Sequence, residues 1–143
     1  MLALVIVFVP RREIKKLFWF SLLWGSMVDF LLVELFRLLN FYRYENSFPL
    51  EFYGSPIMLN LAWSQAIILF IHFLPRRKEW YVLPFYIAMF SMIGTAIGVF
   101  FKNAGLIREI HWNELLRFPV WVVWFYGVCW HYNRLRARDR TTI

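Results

Sequence analysis

Three ionisable residues, Asp29, Glu34 and Arg37, stand in the otherwise apolar run LFWFSLLWGSMVDFLLVELFRLL at positions 17–39. A run of this length can cross a bilayer. Inside one, a carboxylate or guanidinium is costly and is kept for pairing, for an ion or proton path, or for a ligand. Glu34 and Arg37 are three residues apart, so on a helix they share a face and can pair, and Arg37 can extend its head towards the interface. Asp29 falls in mid-run with Ser26 as its only polar neighbour one turn away. Its carboxyl needs a partner on another element, water, or a proton. The fourteen Leu, Phe and Val residues of the run favour insertion by roughly 4–8 kcal/mol, while three central charges would oppose it by roughly 8–10 kcal/mol. The run is marginal alone and calls for neighbouring helices.

Other apolar runs offer groups at a similar depth. Asn60 and Ser64 are four apart, with Gln65 beside them; Thr95 lies in a third run and Arg117 near the start of a fourth. The expectation is a polar cluster of Asp29, Glu34, Arg37, Asn60, Ser64, Gln65, Thr95 and Arg117 in the outer half of a helix bundle. It reads as an outward-facing pocket or an ion or proton path, or else as an interhelical network that fixes helix order, with pairs worth under ~2 kcal/mol each. Gly94 and Gly98 have the GxxxG spacing, and Ser91 extends a seam of small residues for close helix packing, within the bundle or against a second copy. His72 and His131 fall near the same ends of their runs, as weak candidates for a haem or metal pair or as interfacial imidazoles. A loop stretch brings Glu109, His111, Trp112, Asn113 and Glu114 together as further candidates. No P-loop, GxSxG, HExxH, CxxC or dinucleotide fingerprint occurs. No catalytic residue is assigned, and nothing in the chain implies a cofactor.

These residues have to be positioned by membrane helices. Of 143 residues, 61% are hydrophobic and 17% charged, which is more apolar and less charged than a soluble domain. The expected architecture is all-α: a single integral membrane domain over 1–143, a four-span bundle with a short N-terminal apolar helix. The spans are expected at about 17–39, 56–74, 81–101 and 115–132. Residues 1–10 form an interfacial or half-inserted segment ending at Pro10, and 133–143 form a basic, frayed tail. Pro56 is expected in the first turn of the second span, Asn113 as the N-cap of the fourth, and Pro119 as a bend. One cysteine, Cys129, leaves no internal disulfide.

The net charge of +7 lies in short runs between apolar segments, which fits loops beside anionic lipid rather than a nucleic-acid site. Eleven Lys and Arg (Arg11, Arg12, Lys15, Lys16, Arg76, Arg77, Lys78, Arg134, Arg136, Arg138, Arg140) fall on one side, against Arg43, Lys102, Arg108 and Arg117 on the other. This bias puts both termini in the cytoplasm of a multi-pass cell-membrane protein.

The arrangement resembles a family of small, uncharacterised integral membrane proteins of spore-forming Firmicutes. The likeness is carried by the short apolar N-terminus with basic residues after it, by Val28-Asp29-Phe30-Leu31-Leu32, by the aromatic loop leading to Pro56 through Asn60, by the basic turn at Pro75 to Lys78, and by His111-Trp112-Asn113 before a last span ending in His131-Tyr132. It implies no activity, and adds weight to Asp29 and to His111-Trp112-Asn113. The functional expectation is a non-enzymatic membrane binding or accessory protein, partnered by the lipid bilayer and its anionic headgroups, and by a second copy or another membrane protein. The alternatives are a small oligomeric transporter or channel using Asp29 as an ion or proton site, and a haem or metal protein using His72 and His131.

Overall fold

A computed structural model describes residues 2–44, 51–52, 55–75 and 79–141. The basic turn Arg76, Arg77 and Lys78 lies outside the described residues. Among the described residues are five helices: α1 (Leu2–Phe8), α2 (Arg11–Leu38), α3 (Ile57–His72), α4 (Val82–Asn103) and α5 (Glu114–Thr141). Short strands β1 (Tyr42–Tyr44), β2 (Glu51–Phe52), β3 (Ser55–Pro56) and β4 (Ile107–Glu109) sit in the connections. The chain is all-α in its bulk, and α2 and α4 are each long and apolar enough to cross a membrane.

Only 28% and 17% of their most apolar stretches are buried. The core helix of a soluble protein hides its apolar residues, whereas here they face outward. Trp19, Leu23, Met27, Leu31 and Leu35 repeat every fourth residue along α2 and are all exposed, as are Phe85, Met89 and Met92 on α4 and Val123, Tyr126 and Trp130 on α5. An apolar belt of this extent is a membrane-facing or partner-facing feature.

Helix α2 is wound to keep one face inward. Leu17, Ser21, Gly25, Asp29 and Val33 are buried, at strict four-residue spacing. In a regular α-helix such a series drifts by about 40° per step. Residues Leu22–Val28 are a π-helical segment, whose wider turn winds less per residue and cancels the drift. The segment lies against α3, where a Cβ on Gly25 would stand 2.3 Å from Ser64 Cα and 2.4 Å from Ser64 N. Only glycine permits this approach. Ser26 Oγ closes it by donating to the Asn60 carbonyl at 3.0 Å and by sharing a 2.6 Å hydrogen bond with Ser64 Oγ.

The ends of α2 and α4 point the chain into the strands. Asn40 (φ 56°) and Gly105 (φ 72°) take left-handed conformations. The N–H groups of Asn40 and Phe41 donate to Arg37 and Phe36, and those of Gly105 and Leu106 to Lys102 and Phe101, all at 3.0 Å. These are matching C-terminal caps. Each leads directly into a strand, and β1 pairs with β4 antiparallel, Tyr42 opposite Glu109 and Tyr44 opposite Ile107.

Three expectations change. Pro56 belongs to β3, opposite Glu51, and α3 begins one residue later. The segment 133–143 is not frayed over its described part: α5 continues to Thr141, and Arg134 lies 4.7 Å over the Trp130 ring. The basic residues from Arg11 form the first turns of α2 instead of a loop before it. The N-terminal segment ends at Pro10 as expected, where the Pro10 carbonyl accepts from Glu13 and Ile14, and α1 packs on the bundle: Val5 and Val9 join the core and Phe8 meets Phe73 edge-on.

Candidate functional site

Asp29 follows the π segment directly. It is 7% exposed and lines a half-enclosed cavity of about 80 Å³ between α2, α3, α4 and α5, under the β1–β4 pair. The walls are largely aromatic: Phe36, Trp63, Phe101, Trp112, Trp121 and Trp124. Trp63 and Trp121 pack with centroids 4.4 Å apart, and Trp121 and Trp124 at 4.9 Å. Trp112 covers the strand end by packing on Phe36 at 4.7 Å and on Phe41 at 5.5 Å.

Arg117 supplies the opposite charge. Its guanidinium lies over Gly98, where a Cβ would stand 2.5 Å from Nη1, so glycine makes the space for it. Trp121 occupies the equivalent place over Gly94, with ring atoms 3.0 Å from a Cβ there. The seam of Ser91, Gly94 and Gly98 is therefore filled from within the chain by α5. Arg117 Nη2 donates to Glu109 Oε1 at 2.5 Å, and Lys102 Nζ donates to Glu109 Oε2 at 2.5 Å and to Glu114 Oε1 at 3.1 Å. Glu109 thus bridges two cations and ties β4 to α4 and α5.

Three buried polar atoms of residues that line this cavity have no hydrogen-bond partner among the described residues: Asp29 Oδ2, Arg117 Nη1 and the indole Nε1 of Trp124. Buried polar groups are ordinarily satisfied, and leaving one unpaired costs about 1–3 kcal/mol, more for a charge. The residues of this lining thus carry one unpartnered acceptor and two unpartnered donors.

The expected single polar cluster is divided. Asp29 and Arg117 line the cavity. Asn60 and Ser64 belong to the α2–α3 crossing with Ser26. Glu34 and Arg37 form their own ion pair at 2.7 Å, with Glu34 Oε1 buried and unpartnered. Thr95 Oγ1 donates to Ser91 O at 2.9 Å and Ser91 Oγ to Ile87 O at 2.8 Å, so both bond back within α4. Gln65 is half-buried and joins none of these groups. Among the loop candidates, Glu109 and Glu114 are in the ion network and Trp112 lines the cavity. His111 Nδ1 is 3.4 Å from the Asn40 carbonyl oxygen. Asn113 Oδ1 caps α5 by accepting from Leu116 N–H at 2.9 Å. His72 and His131 have separate partners: His72 Nδ1 lies 2.6 Å from Glu13 Oε2, and His131 Nδ1 accepts from Trp24 Nε1 at 2.9 Å.

Sequence reasoning missed Gly25, Lys102, Glu13 and Trp124. Gly25-Ser26, a small pair in an apolar run, was the available signal for the close crossing. Nothing in the spacing singles out Trp124 among eight tryptophans. No family model, no curated protein and no solved structure matches the chain.

Proposed function

We propose that this chain is a four-span integral membrane protein with both termini cytoplasmic, and that it acts by binding a small polar solute in the cavity between Asp29 and Arg117, without catalysing a reaction on it. The spans lie within α2, α3, α4 and α5, with Lys102 and Glu114 just beyond the ends of the last two, the β1–β4 pair faces outward, and the exposed apolar belt faces lipid. The Lys and Arg bias supports this orientation, and the belt supports insertion. The observation that carries the binding reading is Asp29: a buried carboxylate with one oxygen unpartnered, on the wall of a cavity. A purely structural carboxylate inside a bundle is satisfied by its neighbours.

The second reading, transport with Asp29 as an ion or proton site, is favoured by the same carboxylate, but needs a continuation inward. Below the cavity Phe70 packs on Phe125 at 4.7 Å, Phe90 at 5.1 Å and Tyr86 at 5.2 Å, and this layer would have to open.

The test is the unfolding temperature of the full chain in lipid nanodiscs against a panel of small ions, amines, acids and zwitterions. A solute that binds the folded state raises it. The expected result is stabilisation of the wild type by at least one solute, and none of Asp29→Asn by that solute. If no solute stabilises the wild type, the binding reading is lost. Flux of the bound solute into sealed vesicles, abolished by Asp29→Asn, would favour the transport reading instead.

A further inference from the structure

We infer that the cytoplasmic end of the α4–α5 pair holds one phospholipid with an anionic headgroup, its phosphate on Arg134 and an acyl chain in the cleft beside it. The site shares no residue with the cavity at Asp29 and stands apart from the solute reading; it rests only on the orientation of the spans proposed above. Three observations carry it.

The first is the grading of the cleft. An open cleft of about 360 Å³ between the start of α4 and α5 is lined by Leu83, Tyr126, Cys129, Trp130, Asn133 and Arg134. The five residues from α5 fall at i, i+3, i+4, i+7 and i+8, which is one face of a helix. Along that face the apolar bodies of Tyr126, Cys129 and Trp130 come first and the polar Asn133 and Arg134 last. Tyr126 and Arg134 are separated by about 12 Å of helix axis, so the face runs from acyl depth to headgroup depth. Val123, one turn further into the membrane, is 72% exposed and continues it. A phospholipid of the cytoplasmic leaflet is graded in the same direction.

The second is the state of Arg134. Its guanidinium lies 4.7 Å over the Trp130 ring, and it has no ion pair among the described residues. The contact with the ring holds the cation at the mouth of the cleft and leaves N–H donors for an acceptor. A phosphate takes two such donors in parallel, which a lysine cannot offer. The Trp130 indole is itself a residue of the membrane–water interface.

The third is charge. Among the described residues the cleft lining has no acidic side chain, and Arg136 and Arg138 follow on α5. The field at the mouth is positive, so a lipid with net negative charge is drawn over a zwitterionic one.

The experiment uses the full chain, stripped of lipid in mild detergent, with phosphatidylglycerol, phosphatidylethanolamine or phosphatidylcholine of identical acyl chains added. Retained lipid is counted by native mass spectrometry, and the unfolding temperature is read in parallel. The expected result is that the most tightly held copy is phosphatidylglycerol and that this lipid raises the unfolding temperature most. Arg134→Ala should weaken its retention about tenfold, and Arg134→Lys, which keeps the charge and loses the fork, about threefold. Arg136→Ala removes the same charge about 200° round the helix and should leave retention within about twofold. Equal losses in Arg134→Ala and Arg136→Ala would mean diffuse attraction to a basic helix and would overturn the site. Equal retention of the three lipids would overturn it too. Glycerol 3-phosphate, a phosphate head without chains, should leave the unfolding temperature unchanged; protection equal to that by phosphatidylglycerol at the same concentration would make this an anion site and end the lipid assignment. If Arg134→Ala does not fold, Arg134→Lys and the three lipids on the wild type decide. Release of the chain from membranes by alkaline carbonate would remove the spans and this site together, whereas an inserted chain that fails the lipid comparison loses this site alone.

Discussion

The two halves of the helix assembly are built from the same apolar alphabet and do opposite things with it. In the half near the chain termini, Phe70, Phe125, Ile67 and Val128 are fully buried, the rings interlock, and Tyr86 Oη donates to the Phe70 carbonyl at 2.8 Å. The rings close on one another and the hydroxyl has a partner. In the half beneath the β1–β4 pair, tryptophans wall a cavity and three polar atoms are left open. Aromatic content therefore does not decide whether a region packs solid or leaves a cavity. The neighbours decide. Phe70 meets Tyr86, Phe90 and Phe125 in mutually edge-on and tilted contacts, whereas Asp29 and Arg117 hold their part of the interior apart.

The sharpest way to break this comparison is Phe70→Ala. Removing a fully buried ring from an interlocked layer is expected to cost about 3–5 kcal/mol, seen as a large fall in stability to denaturant in nanodiscs; a loss under about 1 kcal/mol would mean the layer is loosely packed. Next is Gly25→Ala. The added methyl meets the α3 backbone, and overpacking of this kind costs about 1–3 kcal/mol. The α2–α3 crossing must widen, and Asp29, one turn on, moves with it, so solute affinity should fall together with stability. Asp29→Leu should do the reverse of Phe70→Ala. It removes an unpaired buried charge, so stability should stay within about 1 kcal/mol of the wild type or rise, while binding is lost. A clear destabilisation by Asp29→Leu would mean that the carboxylate is structural.

The smallest effect is in the ion network outside the spans. The Lys102 ammonium is held above its ordinary 10.5, first by hydrogen bonding to Glu109 and then to Glu114. The Glu114 carboxyl is held below its ordinary 4.5, first by its own backbone N–H and then by Lys102. A raised base contributes stability that is complete below its ordinary value and lost as pH rises through the folded one. A lowered acid contributes stability that is present above its ordinary value and lost as pH falls through the folded one. The Lys102–Glu114 contact should therefore be flat between pH 4.5 and 10.5 and weaken outside that window. Both groups are exposed, so solvent screens the effect. Hydrogen exchange at Ile107 and Glu109 is the readout, with protection relative to the intrinsic rate at each pH expected to fall below pH 4.5.

Much of this was legible in the sequence, and the parts that were not share a cause. The apolar runs, their helical state and the anomaly of Asp29 follow from composition and length. Arg117 was placed near Asp29 by depth alone. What could not be read was which groups at one depth face each other. Thr95 and Ser91 satisfy themselves inside α4, because a hydroxyl bonds the nearest carbonyl before it crosses a bundle, whereas the Asn60 carbonyl and Ser64 meet Ser26 across the close approach that Gly25 permits. The π segment was hidden because its sequence, Leu22–Val28, carries no helix breaker but glycine; tertiary contact with α3 made it. The three-residue pair β1–β4 is set by two helix caps, Asn40 and Gly105, and not by strand propensity. The helical tail was missed because basic residues were read as solvated coil, although Arg and Lys are good helix formers.

The most direct test of a solute-accessible outer cavity above a sealed inner layer is cysteine labelling in sealed vesicles with a small membrane-impermeant methanethiosulfonate applied from outside. Val120 lines the cavity, whereas Cys129, the chain's single cysteine, is buried in the packed half. In Val120→Cys, residue 120 should react, and more slowly when the bound solute is present, while Cys129 stays unmodified in the wild type. An unreactive residue 120, or Cys129 modified at the same rate, would contradict the account.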